Sequence, residues 1–150
     1  MNNENKPIAL QFYKKAAALR ISLMQSEVVE NGFPKVGGYM LTFASASEED
    51  GTKYKWDKAS GSVSIYLAAN ETVTFIKLLN DPSVKIYHDP DKGKEGEGTR
   101  AKSIYSGESN SYKFLNIAEG EKKIGISLNK EEIDLIILML KTSITRLYNW

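Results

Sequence analysis

The sequence predicts an α+β fold: two four-stranded antiparallel β-sheets, each followed by a helix. Three observations carry that reading. Short alternating segments recur between turn signals, as antiparallel strands require. The spacing of apolar residues switches to a helical period twice, once mid-chain and once at the end. The order of four strands and a helix therefore occurs twice, a repeat of architecture without obvious sequence identity between the halves.

Taken in order, residues 1–7 are polar and read as a flexible tail. Ile8–Met24 is a β-compatible stretch whose end alternates: Leu19, Ile21 and Leu23 share one face, Arg20 and Ser22 the other. Ala16–Ala18 suit a helix equally well on propensity. After the turn-rich ENGFPKVGG, Tyr39–Ala46 reads as a second strand. SEEDG leads to Lys53–Trp56, read as a third, with Tyr54 and Trp56 on one face. Val63, Ile65 and Leu67 mark the fourth. Asn70 is the expected N-cap of a short helix with Val73, Ile76 and Leu79 as its apolar stripe. Asn80-Asp81-Pro82 stops it, since the residue before a proline avoids helical dihedrals.

The second half reads as strands at Val84–His88, Ala101–Tyr105, Tyr112–Ile117 and Lys123–Leu128, with the polar, glycine-rich loop DPDKGKEGEG after the first of them. Asn129 with Glu132 three residues on forms a capping box. The helix that follows carries Ile133, Ile136, Ile137, Leu140, Ile144 and Leu147 as a broad stripe, widened by Leu135, Leu138 and Met139. That breadth calls for burial against the sheet and against another subunit. The whole reads as one domain over 1–150, with repeat one at about 8–81 and repeat two at about 82–150. Each helix is expected to cover one face of its own sheet, leaving the other face free.

Composition excludes more than it selects. The 150 residues hold no cysteine and one histidine, which removes disulfides, thiolate zinc sites, cysteine nucleophiles and multi-histidine metal centres. No apolar run nears the ~20 residues a bilayer span needs, so no membrane partner is expected. The start, MNNENKPIAL, reads as neither signal nor transit peptide, and the expected location is intracellular, cytoplasmic or nucleoid-associated. With 20 Lys+Arg against 19 Asp+Glu, any polyanion site must come from local segregation of charge.

Catalytic motifs do not survive inspection. Gly93-Lys94 is followed by Glu95 where a phosphate loop needs Ser or Thr ahead of a helix. A calcium loop begun at Asp89 lacks its glycine and has Arg100 in place of the bidentate Glu. His88 and Asp89, adjacent on a strand, point to opposite faces and make no acid–base dyad. No enzyme activity, cofactor or metal is expected. What remains is aromatic and basic interleaving, in four clusters: Phe12, Tyr13, Lys14 and Lys15; Lys53, Tyr54, Lys55 and Trp56; Lys85, Tyr87 and His88; Tyr105, Tyr112, Lys113 and Phe114. An open sheet face bearing aromatics and lysines suits single-stranded nucleic acid, by base stacking and phosphate neutralisation.

These residues also resemble a known family. Ile86-Tyr87-His88-Asp89-Pro90-Asp91-Lys92-Gly93-Lys94, continuing to Lys102, is similar to the His-Asp-Pro and Lys-Gly-Lys stretch of the Whirly family of single-stranded DNA-binding proteins. Tyr54-Lys55-Trp56 resembles its Tyr-Asp-Trp, and Tyr13–Leu19 its Lys-Gly-Lys-Ala-Ala-Leu, with Lys15 in place of the glycine and Ala16 in place of the second lysine. Ile124–Trp150 resembles the family's closing strand and helix.

The resemblance implies sheets packed face to face, helices holding a homotetramer together, and DNA along sheet edges with little sequence reading. On this reading the protein acts in replication, recombination, repair or transcription. Lys14, Lys15, Lys53, Lys55, Lys92, Lys94, Arg100 and Lys102 are expected to gather phosphates. Tyr13, Tyr54, Trp56, Tyr87, Tyr112 and Phe114 are the candidate stacking residues, and His88 a further contact. RNA binding of the guide-RNA type and a pure assembly module are the alternatives.

Overall fold

The described residues form ten strands and two α-helices. The strands are β1 (Ala9–Tyr13), β2 (Ala17–Met24), β3 (Val29–Glu30), β4 (Phe33–Pro34), β5 (Gly38–Ser45), β6 (Ser62–Ala68), β7 (Lys85–His88), β8 (Lys102–Ser109), β9 (Tyr112–Glu119) and β10 (Lys122–Leu128). The helices are α1 (Thr72–Asn80) and α2 (Lys130–Leu147). The computed structural model describes residues 9–25, 29–30, 33–34, 36–47, 53–57, 61–89, 101–109 and 112–148. Two four-stranded antiparallel sheets result, ordered β1-β2-β5-β6 and β10-β9-β8-β7, and β3 pairs with β4 as a small ribbon.

Directly opposed residues share a face, so the register defines the core. In the first sheet Phe12, Leu19, Phe43 and Val63 stand in one row, and Leu10, Ile21, Leu41 and Ile65 in another. In the second, Ile86, Ile104, Ile117 and Ile124 line up across all four strands and are buried. Burying each such side chain is worth about 1.5–3 kcal/mol. Gly120 makes the tight turn between β9 and β10 at φ 61°, the left-handed region a two-residue hairpin demands.

Each helix covers the sheet of the other repeat, not its own. α1 packs on β7 and β8, and α2 on β2. Polar ties fix the exchange. The helix-end carbonyl of Leu78 accepts from Ser106 Oγ at 2.6 Å, and Lys113 Nζ donates to Asn80 Oδ1 at 3.0 Å. His88 Nε2 sits 2.7 Å from Glu71 Oε2 at the entry to α1. On the other side Tyr39 OH lies 2.8 Å from Ser143 Oγ of α2, and Gly37 N–H donates to Leu147 O at 3.1 Å. Gly37 has no room for a side chain, since a Cβ there would stand 2.1 Å from the Met24 carbonyl oxygen. The expectation that each helix covers its own sheet is thereby corrected. Alternation says which face is apolar, not what lies on it.

Other expectations shift as well. Ile8–Met24 is not one strand: Lys14–Ala16 turns it into the β1–β2 hairpin, closed by Lys14 N–H to Ala17 O at 2.9 Å. Lys53–Trp56 is not a strand either, and Tyr54 makes only an isolated bridge to Ala46. The first sheet keeps four strands because the hairpin supplies the missing one. A 3-10 turn over Ala69–Glu71 leads into α1, so Asn70 lies inside it and is not the cap. The buried face of α1 is Thr72, Phe75, Leu78 and Leu79, while Val73 is exposed. ENGFPKVGG holds β4 and the last residue of β3, and β8 runs four residues beyond the expected Tyr105.

The capping box holds: Glu132 N–H donates to Asn129 Oδ1 at 2.8 Å, and Asn129 N–H to Glu132 Oε1 at 3.0 Å. Of the broad apolar stripe, Ile133, Ile136, Leu140 and Leu147 are buried, whereas Leu135 and Leu138 face outward. No helix among the described residues is long and apolar enough to cross a membrane.

Truncating Leu140 to Ala should lower stability by about 2–5 kcal/mol, and Asn129→Ala by about 1 kcal/mol, both read by urea denaturation. Burial pushes the Tyr39 hydroxyl above the ordinary tyrosine pKa, against a smaller opposing pull from Ser143. The fold therefore favours the neutral phenol. Its contribution is intact below the ordinary tyrosine range and lost as pH climbs through the raised value. Tyr39→Phe should cost about 1 kcal/mol at neutral pH and flatten the loss of stability above about pH 10.

Candidate nucleic-acid interface

On the second sheet, the positions alternating with the isoleucines form the outer face. They place Lys85 and Tyr87 on β7, Tyr105 on β8, Tyr112 and Phe114 on β9, and Lys123 on β10. Tyr87 is 62% exposed and Phe114 37%, enough for a flat ring to receive a base. Lys85 Nζ lies 5.3 Å from the centre of the Tyr105 ring, its cross-strand neighbour. Gly107 stands opposite Phe114, with nothing within 4 Å of where its Cβ would be. A bare glycine in mid-strand leaves a hollow beside that ring. No carboxylate stands on this face among the described strand residues. Glu108 and Glu119 sit on the opposite face, where they meet Lys113 at 3.8 Å and Lys102 at 3.4 Å.

The first sheet carries a second cluster. Its outer row Tyr13, Ala18, Ala44 and Ser62 is small where the chain returns across it. Ser47 N–H to Lys53 O (2.8 Å) and Lys55 N–H to Ser45 O (2.9 Å) bring residues 53–57 back over that side. The Tyr54 ring comes to 5.5 Å from Tyr13 and 6.5 Å from Trp56. Arg20, one row over, lays its guanidinium 4.2 Å from the centre of the Trp56 ring. Tyr54 and Trp56 do share a face, and both are half-buried.

The structure thus brings Tyr13, Tyr54 and Trp56 together on one sheet and Tyr87, Tyr112 and Phe114 on the other. The cations divide differently. Lys15 and Lys53 are exposed and Lys55 half-buried. Lys14 Nζ is 2.6 Å from Glu132 Oε1, inside the capping box of α2, while its carbonyl accepts from Tyr54 OH at 2.6 Å. It serves to hold the hairpin turn. Lys102 Nζ donates to Ser64 O at 2.6 Å and so bridges the two sheets. His88 is engaged by Glu71. Lys92, Lys94 and Arg100 lie outside the described residues.

Sequence reasoning passed over Arg20, Gly107 and Lys123, and left Lys85 and Tyr105 out of its site. For Arg20, Lys85, Tyr105 and Lys123 the signal was present: each is flanked by a core isoleucine or leucine, which already assigns it to the outer face.

A family model described as "Whirly transcription factor" matches residues 12–139. Solved structures are similar over nearly the whole chain. The plant transcriptional regulator PBF-2 is 23% identical with a TM-score of 0.76, covering 99% of this chain and 86% of that one. WHY1 from Arabidopsis thaliana is 24% identical with a TM-score of 0.75, covering 97% and 93%. WHY3 from the same plant is 24% identical with a TM-score of 0.76, covering 99% and 92%. At these identities the likeness is one of fold. No match was found among curated proteins.

Lys14→Gln should lower stability by about 0.5–1 kcal/mol, because it frees Glu132 and loosens the turn. Lys15→Gln, one residue on and exposed, should leave stability within about 0.5 kcal/mol. Paired urea titrations distinguish the two.

Proposed function

The chain belongs to the Whirly family, whose members bind single-stranded DNA, and from that premise we propose that it grips single strands through both outer sheet faces, with little regard to sequence. The observation that carries this reading is the segregation on the second sheet. Tyr87, Tyr105, Tyr112 and Phe114 share one face with Lys85 and Lys123, and no described strand residue there is acidic. Unstacked bases lie on the rings while ammonium groups neutralise the backbone. Tyr13, Tyr54 and Trp56 extend the stacking surface on the first sheet, with Lys15, Lys53 and Lys55 near them as the phosphate-gathering cations. Duplex DNA hides its bases and is held only by charge. The protein acts by binding, without catalysis, and its hold on exposed strands suits repair or transcription.

Self-association completes the proposal. A groove of about 460 Å³ between α1 and α2, lined by Val73, Ile76, Leu140 and Ile144, joins the exposed Leu135 and Leu138 as apolar surface on the helices. This supports a homotetramer assembled through its helices, to be read by light scattering.

The test of binding is fluorescence anisotropy with a labelled single strand of ~30 nucleotides, titrated at several salt concentrations. Affinity should fall as salt rises, and matched duplex should compete poorly. Tyr87→Ala and Phe114→Ala should each cost about 1–3 kcal/mol of binding with an unchanged melting temperature. Equal competition by duplex would reduce the interaction to charge alone, and preference for a matched RNA strand would reassign the ligand.

A further inference from the structure

We propose that Arg20 is a backbone-gripping residue, which holds a phosphodiester of the bound strand with its guanidinium held over the Trp56 ring. The inference rests on the single-strand reading and adds a residue to it. Arg20 stands in the outer row Gln11, Arg20, Thr42 and Ser64, and is the only charged residue on the outer face of the first sheet's described strands. Its guanidinium carbon lies 4.2 Å from the centre of the Trp56 ring. Among the described residues no carboxylate pairs with it.

This sets Arg20 apart from the cations that composition would rank beside it. The ammonium of Lys14 is occupied by Glu132 at 2.6 Å, and that of Lys102 by Ser64 O at 2.6 Å. A guanidinium lying on an indole presents its face to the ring and keeps its in-plane N–H donors for another partner. That planar fork matches two oxygens of one phosphate. The stack also removes rotamer freedom before DNA arrives, so less is lost on binding. Trp56 and Tyr54, 6.5 Å apart, place aromatic surface directly beside the fork. A strand whose base stacks there carries its phosphate to Arg20.

The full chain, its R20Q variant and its R20K variant are titrated against an oligo-dT strand and a mixed-sequence strand over a range of salt. For R20Q the affinity should fall about tenfold on both strands, as for a lost hydrogen bond to a charged group. The slope of log affinity against log salt should shrink by about 0.7, one phosphate contact. R20K keeps the charge and loses the fork, so it should restore the slope and only part of the affinity. Melting of each variant near the wild-type temperature secures the comparison, and Arg20 points away from the core. Affinity of R20Q within twofold of wild type overturns the assignment. So does an unchanged salt slope, and so does a loss confined to the guanine-containing strand, which would make Arg20 a base reader. If wild-type protein binds no single strand, both this assignment and the broader reading fall; the other outcomes sink this one alone.

Discussion

A four-stranded sheet with one apolar face is stable only if something covers that face, and here the cover comes from the opposite repeat. α1 follows the first sheet and lies on the second; α2 follows the second and lies on the first. Everything else depends on this exchange. It merges the apolar faces of both sheets into one core, running from Phe12 to Leu147. The sheets also meet each other directly, β10 against β2 and β5 and β9 against β6, so their outer faces are the ones turned away from that core. The proposed binding surface is thus a by-product of how the core closes.

The same arrangement explains how a chain of net charge +1 presents a cationic surface. Several of the described carboxylates stand on the core-side rows and at helix starts: Glu119 and Glu108 beside lysines, Glu71 beside His88, Glu131 and Glu132 in the first turn of α2. There they meet positive partners or the helix dipole. The outer rows keep Lys85, Lys123 and Arg20 without such neighbours among the described residues. Local order of charge decides what the surface attracts, not the sum.

Legibility in the sequence followed the range of the interaction. The capping box of Asn129 and Glu132 spans three residues and was read directly. The isoleucines of β7 to β10 announced their strands through alternation alone. The β1–β2 hairpin was hidden, because Lys14–Ala16 contains no glycine, proline or asparagine to mark a turn. Lys53–Trp56 alternates like a strand, yet its Tyr54 hydroxyl and Trp56 ring meet a carbonyl of the hairpin turn and an arginine of β2, so its pattern reports an aromatic cover. Lysines were least legible of all. Whether Lys14 meets a phosphate or Glu132 is decided 118 positions away, where no local pattern reaches. Arg20 went unselected because a residue's face can be read locally, but the ring lying on it cannot.

The crossed cover also sets the order in which the chain becomes safe during synthesis. Every strand of the first sheet lies before α1, whereas the elements that shield its apolar face, β9, β10 and α2, are the last three described. A ribosome therefore extrudes Phe12, Leu19, Phe43 and Val63 long before β9, β10 and α2 emerge to close the core over them. At roughly 5–20 residues per second, the interval is on the order of several seconds. Throughout it the nascent chain carries a finished, half-naked sheet, the kind of surface on which chaperones act. The exchange that crosses the two repeats makes the first sheet of an unfinished chain wait for the last strands and helix of the second.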